Sequence, residues 1–201
     1  MKYSFIIDGV TLNSRLIAKK ETEYSFEELI MEISKIVLDP ISVEIMSHEF
    51  SDIVEETKHI SRISPKIVIK VPMTMEGLKA TKRLSEMNIK TNVTLFFSAN
   101  QVLLAANCGA TYASLFVVRL DDIGHNGIEI DNDTLDIFTL HNYSTQVITA
   151  SIRNLMYVLS AAKVGAHVVT IPFNVIEKIF SYPLTDAGLN NFLSDWKKVP
   201  T

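Results

Sequence analysis

The segment KIVIKVPMT, residues 66–74, carries a lysine inside an apolar run: Ile67, Val68, Ile69 and Val71 surround Lys70. A charged amine is seldom left in such a stretch without a partner or a task. Alternation along a strand puts Lys66, Val68 and Lys70 on one face and Ile67, Ile69 and Val71 on the other. Lys66, at the start of the run, is expected to reach water. An amine held among apolar walls loses hydration that favours its charged form, and a neutral amine can attack a carbonyl and form a Schiff base. The plainer reading of Lys70 is a structural ion pair with a carboxylate such as Glu44. On the residues alone both readings stand.

Other polar residues occupy matching places. Glu44 interrupts ISVEIM, and Thr94 interrupts TNVTLFF with Asn92 on the same face. Arg119 follows YASLFVV, Ser151 and Arg153 follow QVITA, and Asn13 follows the first visible strand. Singly, each reads as a satisfied hydroxyl, a cap or a solvated arginine. Their recurrence at the ends of several apolar runs points to one convergent mouth. Two arginines and a serine there suit a phosphate, which a guanidinium binds through paired N–H···O bonds. A Schiff-base lysine beside a phosphate cradle points to a sugar phosphate as substrate.

These residues must be positioned by alternating short and long elements. Runs rich in Val, Ile, Thr and aromatics read as strands at 4–7, 41–46, 66–71, 90–96, 112–118, 146–151 and 167–171. Amphipathic stretches at 25–37, 51–63, 74–88, 98–108, 131–143 and 153–165 read as helices, with two more near the C-terminus, at NVIEKIF and TDAGLNNFLSDWKKV. Ser25 with Glu28 fits a capping box, Thr74 and Ser98 fit N-caps, and Gly109 and Gly165 stand where helices should stop. Such alternation predicts parallel strands joined by right-handed crossovers, in either a closed barrel or an open doubly wound sheet. No GxGxxG or GxxxxGK[ST] follows a strand, so the usual nucleotide signals of open sheets are missing.

The bulk properties exclude other classes. With 201 residues, one domain spanning 1–201 is expected. A net charge of −4 argues against a nucleic-acid or anionic-membrane partner. The one cysteine, Cys108, cannot form an internal disulfide and reads as a structural thiol. The apolar run at the N-terminus is short and broken by Asp8, which does not suit a signal peptide, and the cytoplasm is the expected location. None of the five histidines has metal-ligand spacing with another, and neither a metal nor a cofactor is expected. His125 is expected in a loop at the mouth.

IVIKVPMTMEGLKA resembles the Schiff-base lysine strand of the small transaldolase and fructose-6-phosphate aldolase family. IKTNVTLFFSANQVLLAANCGATYASLF, RLDDIGHNGIE, TASIRN and TIPFNVIEKIFSYPLTDAGLNNFLSDW resemble successive segments of that family, so the likeness runs from about Asp8 to the C-terminus. The resemblance implies an α/β fold, the (β/α)8 TIM barrel of the transaldolase type. It implies a homo-oligomer, a pentamer or decamer, with the C-terminal helix at 185–198 in the contacts. It also implies roles. Lys70 would form the Schiff base with a ketose, and Glu44 and Thr94 would hold the water that shuttles protons. Asn13, Asn92 and Ser114 would contact the dihydroxyacetone unit, with Thr11 beside them. Arg119, Ser151 and Arg153 would bind the phosphate.

Glu44 and Phe116 are similar to the transferases of the family, whereas aldolase-like members carry Gln and Tyr there. The implied activity is transaldolase of the pentose phosphate pathway. It moves a dihydroxyacetone unit between sedoheptulose 7-phosphate or fructose 6-phosphate and an aldose phosphate. The family opens with a strand bearing an LDT-like segment, whose Asp serves the retro-aldol step. This sequence is expected to begin after that strand and to form seven strands of the eight. The family's usual GVTTNPS also reads GVTLNSR here, and its SPF reads SLF through Leu115. The alternatives are a catalytically impaired relic lacking the strand-1 Asp, and a fructose-6-phosphate aldolase.

Overall fold

A computed structural model describes residues 4–12, 24–38 and 40–199. Seven strands form one sheet in sequence order: β1 (Val10–Leu12), β2 (Ile41–Glu44), β3 (Ile67–Pro72), β4 (Thr91–Phe96), β5 (Tyr112–Leu115), β6 (Gln146–Thr149) and β7 (Val168–Val169). Every pairing is parallel. Helices fill the crossovers: α1 (Phe26–Ile36), α2 (Phe50–Ile60), α3 (Met75–Glu86), α4 (Ala99–Asn107), α5 (Val117–Asp121), α6 (Ile128–His141) and α7 (Leu155–Val164). After β7 come α8 (Phe173–Phe180) and α9 (Pro183–Trp196). The sheet is the arc of an incomplete (β/α)8 barrel, and among the described residues β1 and β7 each pair on one side only.

Local chemistry sets the helix starts as expected. Ser25 and Glu28 form the reciprocal capping box of α1. Thr74 accepts from the Gly77 N–H at the start of α3, and Ser98 accepts from the Gln101 N–H at the start of α4. Gly165 ends α7 in the left-handed conformation, φ 84°. Lys66 does not simply reach water. Its Nζ donates to the Ser34 and Val37 carbonyls at 2.9 and 2.8 Å, tying β3 to the negative end of α1.

The outward faces of the strands bury Val43, Ile69, Val71, Val93, Ala113 and Val147 against the helices, all fully. Each side chain the size of Ile69 contributes about 1.5–3 kcal/mol of burial. Two apolar clusters result, one around β2 and β3, the other around β4 to β6.

Two expected strands differ. Residues 4–7 do not form one: Ser4–Ile6 is a 3-10 turn with Phe5 78% exposed, and the first strand is Val10–Leu12. Its place is set by pairing, since the Val10 N–H finds the Pro40 carbonyl at 3.0 Å and Val10 sits opposite Ile41. The run 112–118 divides. β5 ends at Leu115, Phe116 turns the chain, and Val117–Asp121 is a short helix. That helix buries Val117, Val118 and Leu120, so a run of apolar residues reads as strand where packing makes it helix.

Candidate functional site at the carboxyl ends of the strands

Register assembles the site. Glu44 lies opposite Lys70, and Lys70 lies opposite Asn92. One strand end further on, Thr94 lies opposite Ser114. Alternation sends all of these inward, away from the apolar clusters behind the sheet. Lys70 is 7% exposed, and its Nζ is 3.4 Å from Glu44 Oε1. Lys70 is thus paired with the carboxylate of the plainer reading, and it is buried at a strand end beside other polar groups.

Asn92 is the hub. Its Nδ2 donates to Ser42 Oγ at 3.0 Å, and its Oδ1 accepts from Ser114 Oγ at 2.8 Å. Ser42 was not among the expected site residues. Its signal was present, because the alternation that turns Glu44 inward turns Ser42 inward too. Thr94 is 1% exposed, and among the described residues its hydroxyl has no hydrogen-bond partner. A buried hydroxyl in that condition is free to hold a water or a ligand group.

The next residue, Leu95, has φ 69°, a left-handed conformation that costs a non-glycine residue about 1 kcal/mol or more. It is the extra residue of a bulge, since Thr94 and Phe96 flank it while Ser114 and Leu115 are adjacent on β5. The bulge turns Phe96 outward into the helix-side core, and Thr94 keeps its inward aim.

Close approach fixes two loops at the site. A Cβ on Gly77 would lie 2.2 Å from the Pro72 carbonyl oxygen, so glycine lets α3 start directly against the end of β3. A Cβ on Gly127 would lie 2.0 Å from the Val117 carbonyl oxygen, and glycine brings the loop before α6 onto α5. There the Gly127 N–H and the Tyr157 hydroxyl both donate to Asp121, at 2.8 and 2.7 Å.

The arginines lie on this side of the arc. The Arg119 guanidinium sits 5.0 Å from the Phe116 ring centroid, a cation–π contact. Arg153 makes a two-pronged contact with Asp122, at 2.7 and 2.5 Å. The Arg153 fork holds the Asp122 carboxyl below its usual range, and the Arg119 charge adds to that. Asp122 therefore occupies the geometry that a phosphate would take on Arg153. Ser151, just before, has φ 68°. Thr11 lies opposite Ser42 and is half-buried. Asn13 falls outside the described residues. His125 is exposed in the turn between α5 and α6.

Elsewhere, a groove of about 490 Å³ lies on the outer surface, lined by Phe50, Met75, Leu78, Lys82 and Cys108. Burial pushes the Cys108 thiol up, against a smaller opposing effect of Lys82. No described helix is long and apolar enough to cross a membrane, and no described group of three His, Cys, Asp or Glu could hold a metal ion.

The sequence profile of the Transaldolase/Fructose-6-phosphate aldolase family matches residues 1–200. The chain belongs to this family. A protein named probable transaldolase from Shouchella clausii is 51% identical over 193 residues, covering 96% of this chain and 88% of that one. Another of the same name, from Geobacillus thermodenitrificans, is 50% identical over 193 residues, covering 96% and 90%. Among solved structures, an inosine 5′-monophosphate dehydrogenase from Legionella pneumophila superposes with a TM-score of 0.55 at 12% identity, over 76% of this chain and 49% of that one. A glycerophosphodiester phosphodiesterase from Parabacteroides distasonis gives 0.53 at 11%, over 77% and 63%. At such identity the likeness extends to the fold alone.

Proposed function

We propose that this chain is a transaldolase that works through an imine on Lys70. The observation that carries the reading is the placement of Lys70. It is a buried amine, 3.4 Å from a carboxylate, in register with Asn92 at the mouth of the arc. Lys70 Nζ adds to the ketose carbonyl, and the carbinolamine then loses water to give the imine. Glu44, next to the amine, and Thr94, with its uncommitted hydroxyl, hold the water that takes and returns protons in these steps. Asn13, Asn92 and Ser114 hydrogen-bond hydroxyls of the dihydroxyacetone unit, and Thr11 is a further contact to it. Arg119, Ser151 and Arg153 take the phosphate, with Arg153 exchanging Asp122 for it. Carbon–carbon cleavage releases an aldose phosphate and leaves an enamine on Lys70. The enamine adds to a second aldose phosphate, and hydrolysis frees the new ketose phosphate. Glu44 and Phe116 favour transfer over release of free dihydroxyacetone. The pentose phosphate pathway in the cytoplasm is the setting that fits this reaction.

The test is acceptor dependence. With fructose 6-phosphate and erythrose 4-phosphate together, sedoheptulose 7-phosphate is expected, and with fructose 6-phosphate alone little turnover is expected. Equal turnover without acceptor would mark an aldolase instead. No turnover in either mixture would mark a relic.

The same reading includes assembly. α9 buries none of its residues, and Leu184, Phe192 and Trp196 are each about three-quarters exposed. An apolar helix face of that kind supports a homo-oligomer in which α9 packs on a neighbouring copy.

A further inference from the structure

Behind β6, on the helix side of the sheet, lies a carboxyl that the mechanism above does not use. Asp131 on α6 is fully buried. It stands at i in a stripe whose other members, Thr134, Leu135 and Phe138, are buried at i+3, i+4 and i+7. A carboxyl in that stripe is costly unless it is partnered. Its Oδ2 accepts from the Thr149 hydroxyl, and among the described residues its Oδ1 has no hydrogen-bond partner.

Thr149 is the last residue of β6. Its carbonyl accepts from the Thr170 N–H at 3.0 Å, and the next N–H, of Ala150, reaches the Leu115 carbonyl at 2.8 Å. The ladder then stops. Ser151 takes φ 68°, Ile152 plugs into the core at 2% exposure, and Arg153 turns out to Asp122. A left-handed serine persists only where its surroundings hold it. Here the bend is held at one end by Asp131 and at the other by Asp122.

The geometry points to Asp131 as a positioning residue: by gripping the Thr149 hydroxyl it fixes the end of β6, and through that end it sets where Ser151 and Arg153 meet an anion. This inference rests on the reading of Arg119, Ser151 and Arg153 as phosphate ligands. Burial pushes the Asp131 carboxyl up to about 7, and the Thr149 hydrogen bond opposes this. In this apolar stripe burial disfavours the charged form, so an amide can stand in for the acid as acceptor there.

The probe is radiolabelled inorganic phosphate, measured by equilibrium dialysis on the full chain. Thr149→Val removes the donor and keeps the shape. It is expected to weaken phosphate about tenfold, the scale of a small misplacement at a site. Thr149→Ser restores the donor and Asp131→Asn keeps the acceptor, and both are expected to bind within about twofold of the parent. If T149V does not fold, Asp131→Leu serves in its place. Imine formation on Lys70 with unphosphorylated dihydroxyacetone is expected to be unchanged in T149V, which separates misplacement of the anion site from loss of the barrel. Phosphate binding in T149V equal to the parent, or equal weakening in T149V and T149S, overturns the inference and leaves the transaldolase reading standing. Weakened phosphate in T149V alone, in a protein that forms no imine, supports the inference and sinks the transaldolase reading. No phosphate binding by the parent overturns the inference together with the anion role of the arginines.

Discussion

The stretch from β2 to β5 and the stretch from β6 onward use the same β/α unit to different ends. In the first, ladders of four to six residues hold Ser42, Glu44, Lys70, Asn92, Thr94 and Ser114 in one inward layer, and the side chains find one another. In the second, β7 has two residues, Val168 is 37% exposed, and α9 buries nothing. The difference teaches where a single chain completes its work. The inward polar cluster lies where the ladders run four to six residues. The helix that buries none of its residues, α9, follows the shortest strand, β7.

The largest effect is expected at Lys70. Lys70→Met keeps a straight, apolar-bodied side chain, so the barrel should stay folded. Turnover should fall by about 10⁴-fold or more, as for loss of a covalent nucleophile. A stopped assay for ketose phosphate checks it. Next is Thr94→Val. The hydroxyl it removes has no partner, so the melting temperature should hold, while the rate falls by about 10²-fold through loss of the held water. Calorimetry beside kinetics reads both, and a rate unchanged in T94V would remove Thr94 from the mechanism.

Asn92→Ala should do the opposite kind of damage. It leaves the Ser42 and Ser114 hydroxyls without their shared partner, costing about 1–3 kcal/mol in denaturant unfolding. Asp131→Asn sharpens the contrast through pH. The ordinary aspartate value is 3.8 and the folded value is about 7, so between these the folded state binds more protons than the unfolded one. This group's contribution is therefore full below 3.8 and is lost as pH rises to 7. The parent should lose melting temperature relative to D131N from pH 5 to pH 8, and parallel curves would contradict the buried acid. The smallest effect on a single chain is expected at α9. Phe192→Glu with Trp196→Glu should leave monomer unfolding within about 0.5 kcal/mol, as for exposed positions. Sedimentation should nevertheless show a lower mass than the parent.

Much of this was legible in the sequence because period and position carry it. The face that Lys70 occupies follows from alternation alone, and the helix caps at Ser25, Thr74 and Ser98 follow from side-chain chemistry. What was not legible depends on partners distant in sequence. Phe5 and Ile6 are apolar enough to read as strand, but the pairing that makes a strand falls on Val10–Leu12. The run FVV reads as strand, yet Val117 and Val118 pack as helix under Gly127. Arg153 reads as a free anion ligand, and only the fold brings Asp122 to it. Asp131 opens the expected helix at 131–143, and the apolar spacing of Leu135 and Phe138 after it marks it as inward-facing. A lone serine in a strand, such as Ser42, is ordinary until Asn92, fifty residues away, bonds to it.

The most direct test of the central claim is borohydride reduction of the folded protein in the presence of fructose 6-phosphate, followed by peptide mass spectrometry. The account predicts a reduced dihydroxyacetone-type or ketose adduct on Lys70 and on no other lysine, absent from Lys70→Met. Folded protein that gives no adduct, or an adduct on Lys66 or Lys90 with Lys70 untouched, would contradict it.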